Sequence, residues 1–244
     1  MSSRSSIGTG GRVFASAGAL LFAASLVYAA IVHSTTFGRR PTAWSWSDAW
    51  PAIAFDTALF SVFALHHSVF ARTGAKAWMA RHAPAGWERP IYVWGASLLF
   101  IAVMSSWREV PGVAWSVSGP AAVVLVALML SGVVLTGLAS RHIGVLKLAG
   151  LAPSDPPARE GASTPALKSD GLYGLVRHPI YFAWLLLVWP VPLMTGSRLL
   201  FAVLSTAYLV AAVPFEERSL VREFGPAYDA YRARVRWRML WGIY

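Results

Sequence analysis

Residues 171 to 184 read GLYGLVRHPIYFAW, an arginine, a histidine and a proline set directly before an apolar run. The residue before proline is pushed out of helical geometry, and proline suits the first position of a helix. His178 is therefore predicted to cap a helix that begins at Pro179. The first backbone N–H groups of such a helix, those of Ile180 and Tyr181 among them, have no intrahelical acceptor. A helix start carries partial positive charge and favours a carboxylate or phosphate, and Arg177 strengthens that preference. Taken alone, the three residues are also read as a snorkelling interfacial arginine beside an exposed cap.

The surrounding composition turns this stretch into a membrane boundary. Of 244 residues, 56% are hydrophobic and 13% charged, against about 25% charged in an ordinary soluble domain. Six apolar segments follow one another, near 13–34, 51–71, 91–106, 119–139, 180–195 and 199–215. The predicted fold class is all-α: an integral membrane bundle of about six transmembrane helices, with short amphipathic helices at the C-terminal end. The third, fifth and sixth segments fall short of the roughly 20 residues that the hydrocarbon core asks of a helix. The first segment is too long for a signal peptide and ends at no clear small-residue cleavage site, so it is read as a retained anchor. No internal repeat or separate soluble domain stands out, and 1–244 is read as a single membrane domain.

Charge distribution gives the orientation. With six spans, 17 of the 21 lysines and arginines fall on the side that holds both termini; Arg39, Arg40, Arg108 and Arg198 fall on the other. Basic loops resist translocation. Both termini are predicted to be cytoplasmic, with a bacterial inner membrane as the expected location, and the Arg177 loop shares that side. The formal charge of +10 then belongs to lipid headgroups, with no basic stripe on a polar fold to suggest nucleic acid. Cysteine is absent, which removes disulfides, thiolate metal sites and nucleophilic thiols.

Between the fourth and fifth segments, residues 150–170 are rich in Pro, Gly and Ser and are read as an irregular lid, with a disordered linker as the alternative. Gly132, Thr136 and Ser140 recur every four residues, a small face for close helix packing in lipid. After the sixth segment, Leu220, Phe224, Tyr228, Tyr231 and Val235 form an apolar helical stripe, broken near Gly225 and Pro226. Two short amphipathic helices at the headgroup layer are expected there.

Glu216 and Glu217 stand at the end of the sixth segment. A helical hairpin turning near Gly196 returns the chain to the depth of Arg177 and His178, so carboxylates face cations across it. Ionisable groups at the edge of an apolar helix are costly unless paired, and are often functional. Arginine and a helix start at one end, with carboxylates at the other, suit a zwitterionic ligand; an ordinary interfacial ion pair is the simpler alternative. His66 and His67 are adjacent and diverge by about 100° on a helix, so they do not share a metal, and no metal motif is present.

GLYGLVRHPIYFAW, followed about 35 residues later by EERSLVREFGPAYDAYRARV, resembles the membrane methyltransferases of the isoprenylcysteine carboxyl methyltransferase and phospholipid methyltransferase type. The match covers residues 165–236. LHHSVFAR, WERPIYVWGASLLF and VPGVAWSV are similar to the branch of methanethiol S-methyltransferases and NnrU-like membrane proteins. The resemblance implies S-adenosylmethionine as methyl donor. It implies cofactor contacts at Pro165, Ala166, Leu167, Lys168, Tyr173, His178, Pro179, Ile180, Tyr181 and Glu216. Arg177 is the candidate for positioning an anion and Glu217 for the donor's polar groups, the two expected catalytic residues; no metal is implied. Prenylcysteine-methylating relatives have a basic residue one turn before the carboxylate pair, where this chain has Ala212. That departure favours a small thiol or another lipophilic acceptor. A nicotinamide-dependent membrane reductase and a non-catalytic accessory protein are the competing readings.

Overall fold

The computed structural model describes residues 9–41, 46–70, 72–84, 86–144, 151 and 167–244. They pack as two compact units, one formed by the described residues of 1–112 with Leu151 and the other by 113–144 with the described residues from 167 onward.

The first unit consists of α1 (Thr9–Ser34), α2 (Trp46–Phe70), a short α3 (Thr73–His82) and α4 (Glu88–Ser106). Glycines let bulky rings key these helices together. A Cβ on Gly18 of α1 would lie 2.8 Å from the Trp94 ring of α4, and the Trp94 indole donates to the Phe14 carbonyl at 3.0 Å. A Cβ on Gly95 would lie 2.6 Å from His66 Nε2. His66 and His67 both pack against the Tyr92 ring, and no cluster of metal-ligating side chains occurs among the described residues.

The second unit contains β1 (Val113–Ser116), α5 (Gly119–Ile143), a 3-10 turn (Gly171–Gly174), α6 (Pro179–Val188), β2 (Leu193–Thr195), α7 (Gly196–Phe224) and α8 (Pro226–Arg234). Gly132 has the role its spacing suggested. A Cβ there would stand 2.7 Å from the Ala183 carbonyl of α6, so glycine lets α5 and α6 touch backbone to backbone.

The protein is an all-α integral membrane bundle. Among the described residues, α1, α2, α4, α5 and α7 are long and apolar enough to cross a bilayer. The fifth apolar segment departs from expectation, because its helix stops at Val188 after 10 residues. That is about 15 Å of helix against a hydrocarbon core of about 30 Å. Pro190 and Pro192 explain the stop, since proline removes a backbone donor and clashes with the preceding turn. The chain continues as β2, antiparallel to β1, with Val113 opposite Thr195 and Ser116 opposite Leu193.

Buried backbone outside a helix needs protein partners for its polar groups. Here the Val191 carbonyl accepts from the Trp115 indole at 2.9 Å and the Pro192 carbonyl from the Val117 N–H at 2.8 Å. The Leu193 carbonyl accepts from the Arg198 guanidinium at 2.7 Å. The expected tight turn at Gly196 is replaced by this ribbon, and Gly196 opens α7 behind a Thr195 cap.

The other departure is at the far end of α7. The apolar run finishes near 215, yet the helix continues without a break to Phe224, 29 residues in all. It stops at Gly225, whose φ of +52° belongs to the left-handed region that glycine adopts readily, and Pro226 starts α8. The first of the two expected amphipathic helices is therefore an extension of the membrane helix. The stripe of Tyr228, Tyr231 and Val235 is buried against Leu220 and Phe224, inside protein instead of against headgroups.

Candidate functional site

α6 starts as its sequence dictates, with His178 in non-helical geometry at the N-cap and Pro179 at the first position. The free donors expected there are partly engaged. The Tyr181 N–H closes a tight first turn onto the His178 carbonyl at 3.0 Å, and the Phe182 N–H reaches the same oxygen at 3.1 Å. The N–H groups of Arg177 and His178 are used as well, donating to the carbonyls of Trp237 and Arg238 at 2.9 and 2.8 Å. The C-terminal segment after α8 thus returns to lie along the residues just before α6.

Arg177 fastens that return. Its Nε donates to Glu217 Oε1 at 2.7 Å, while Nη1 donates to the Val235 and Arg236 carbonyls at 2.7 and 2.8 Å. The side chains of Arg177 and Glu217 are only 7% and 8% exposed. His178 Nε2 lies 3.4 Å from Glu217 Oε1, and Arg238 Nε 3.5 Å from Oε2. Both oxygens of Glu217 consequently face cationic or N–H groups.

Glu216 has a different environment. Its side chain is 44% exposed, it accepts from the Tyr181 hydroxyl at 2.7 Å, and it lies 3.5 Å from His178 Nδ1. The His178 and Tyr181 rings stack at 5.3 Å, giving a flat aromatic surface beside the exposed carboxylate. The extended α7 is what holds both carboxylates on one rigid element.

Tyrosines line the base of this arrangement. The Tyr231 hydroxyl donates to the Tyr173 carbonyl at 2.7 Å, tying α8 to the 3-10 turn. Burial, then the neighbouring Glu216 and Tyr231, push the Tyr173 phenol well above its ordinary range. Burial raises Tyr231 to about 12 despite the nearby Arg177 and Arg234. Tyr228 is 1% exposed, its hydroxyl has no hydrogen-bond partner, and burial followed by Glu217 raises its pKa. All three remain neutral phenols at physiological pH.

The structure brings Arg177, His178, Tyr181, Glu216 and Glu217 together, with Tyr173 reached through Tyr231 and Glu216. Pro179 is buried at the helix start beside Ile180. Leu167 packs on the Tyr228 cluster, whereas Lys168 is exposed. Pro165 and Ala166, and most of the expected lid, lie outside the described residues. Sequence reasoning passed over Arg238, the carbonyls of 235–238 and the unsatisfied Tyr228. Tyr228 was visible only as part of a stripe, and no spacing rule points to a carbonyl.

Comparison with known proteins adds the chemistry. The phospholipid methyltransferase family matches residues 121–227. Methanethiol S-methyltransferase 2 of Bradyrhizobium diazoefficiens is 37% identical over 75% of this chain and 71% of its own length. The methanethiol S-methyltransferase of Mycobacterium tuberculosis is 36% identical over 78% of this chain and 79% of its own. Nurim of Sus scrofa is 29% identical over 69% and 68%. No solved structure matches.

Proposed function

We propose, from the fact that this chain belongs to the membrane methyltransferase family of the methanethiol S-methyltransferases, that it methylates a small thiol with S-adenosylmethionine as donor. The observation that carries the donor assignment is the exposed Glu216 beside the stacked His178 and Tyr181 rings at the start of α6. A carboxylate and aromatic faces suit a cation, and the helix start suits a carboxylate. S-adenosylmethionine, when bound, supplies a methyl group on a positively charged sulfur, together with an ammonium and a carboxylate.

In this reading Glu216 attracts the cationic portion of the donor and Tyr181 fixes the rotamer of that carboxylate. His178, Pro179 and Ile180 form the wall at the helix start, with Leu167, Lys168 and Tyr173 continuing it. Arg177 and Glu217, first expected to act on the reactants, become positioning residues. Their shared hydrogen bond and the carbonyls of 235 and 236 occupy the guanidinium, so it secures the C-terminal segment and the orientation of α7. Transfer by in-line displacement asks mainly for alignment, which contributes several kcal/mol without covalent participation by protein. A dry surrounding keeps water from competing with the acceptor for the methyl group.

The lipid bilayer delivers the acceptor, and both termini with the Arg177 loop face the cytoplasm, where the donor is made. The excess of basic residues on that side supports this orientation. A labelled-methyl transfer assay in membranes, offering methanethiol, prenylcysteine and phosphatidylethanolamine separately, tests the reading. Methylation of methanethiol is the expected result, and methylation of phosphatidylethanolamine alone overturns it.

A further inference from the structure

Next to the donor-facing residues lies a surface of opposite character. Leu135 of α5, Leu172 of the turn, Leu175 just after it, Pro179 and Phe182 of α6, and Trp241 border a cavity of ≈ 230 Å³. Its wall carries no charged side chain. The turn divides two environments: Tyr173 accepts from Tyr231 and feels the charge of Glu216, while Leu172 and Leu175 face the cavity. Pro179 belongs to the cavity wall and directly follows His178, whose ring stacks on the Glu216-bound Tyr181. Leu175 is 60% exposed and Trp241 73%, so the rim is open.

We propose that this cavity is the acceptor subsite and that it takes a small, uncharged alkyl thiol arriving through lipid. The inference rests on the methyl-transfer reading above and adds where the acceptor binds and why it is chosen. Burying an ionised carboxylate or phosphate against such a wall leaves it without a partner, at a cost far above that of a neutral group. A thiol is only a weak donor and acceptor, so it gives up little hydration on entering. Drug-sized ligands occupy pockets of roughly 300–1,000 Å³, and this cavity is smaller, which suits a small acceptor. The balance of the step agrees with the walls. The acceptor sulfur gains the methyl group and its S–H proton passes to water, the donor sulfonium becomes a neutral thioether, and the methylated product is itself uncharged and leaves by the same apolar route.

The test uses the full-length protein in lipid nanodiscs, labelled S-adenosylmethionine, and unbranched alkanethiols of one to six carbons with 3-mercaptopropionate as the charged member. The wild type is expected to prefer the shortest thiols and to ignore 3-mercaptopropionate. Leu172→Trp, which fills the cavity, should raise the KM for methanethiol at least tenfold while the Kd for S-adenosylmethionine stays within twofold. Phe182→Ala, which enlarges it, should move the optimum to longer chains at unchanged donor affinity. Chain-length profiles for both variants that superimpose on the wild type, or 3-mercaptopropionate used as well as propanethiol, overturn the cavity assignment while leaving methyl transfer standing. Absence of transfer from the wild type to every thiol overturns the underlying reading along with it.

Discussion

The two ends of α6 face the same physical demand and meet it differently. Beyond its C-terminal end, the carbonyls of Val191, Pro192 and Leu193 are satisfied by Trp115, Val117 and Arg198. At its N-terminal end, Arg177, His178, Glu217 and the tail carbonyls satisfy one another, but Glu216 remains 44% exposed. A closed set of partners stabilises; a set with one charged group left outward can also bind. The contrast separates residues that build the fold from residues that meet a ligand.

The largest test of that contrast removes the centre of the clasp. Glu217→Ala leaves Arg177 buried without its carboxylate, and loss of one partner of a buried pair typically costs about 3–5 kcal/mol. A large fall in thermal stability in detergent is expected, and an unchanged melting temperature would break the division between the two carboxylates. Glu216→Gln should instead spare stability and weaken S-adenosylmethionine binding about 10- to 100-fold, the range of about 1.5–3 kcal/mol for a hydrogen bond to a charged group. Isothermal titration distinguishes this from the Glu217 effect.

At the other end, Trp115→Phe strands the Val191 carbonyl. A loss of about 1–3 kcal/mol is expected, with donor affinity unaltered; weakened donor binding would show that this end also serves the ligand. The smallest effect is expected from Tyr228→Phe, which deletes a buried hydroxyl that has no partner. Melting should be unchanged or raised by the equivalent of up to about 1 kcal/mol. A clear destabilisation in urea-dependent unfolding would mean that the hydroxyl has a partner after all.

Much of this was legible in one dimension. The apolar runs, the Pro179 helix start, the Gly132 contact and the break at Pro226 all arise from local covalent geometry or from partitioning, and each follows from a residue type at a known place. The fifth segment was misjudged because hydropathy does not distinguish helix from ribbon. Pro190 and Pro192 were in view, but Trp115, which satisfies the resulting carbonyl, lies 76 residues away. The end of α7 was misjudged for the converse reason: helix continues past the apolar run when tertiary contacts bury the next turns, as Glu217 and the Leu220–Tyr228 cluster do.

By itself the sequence determined a membrane bundle of helices and placed arginine, histidine and two carboxylates at one level, because apolar length, proline geometry and hairpin reversal act without knowledge of partners. Only the tertiary structure decided which carboxylate is buried and which faces outward. Neighbouring residues on a helix diverge by about 100°, so Glu216 and Glu217 were bound to part company. Which of them met Arg177 depended on the C-terminal tail folding back across 58 residues of chain to offer its carbonyls.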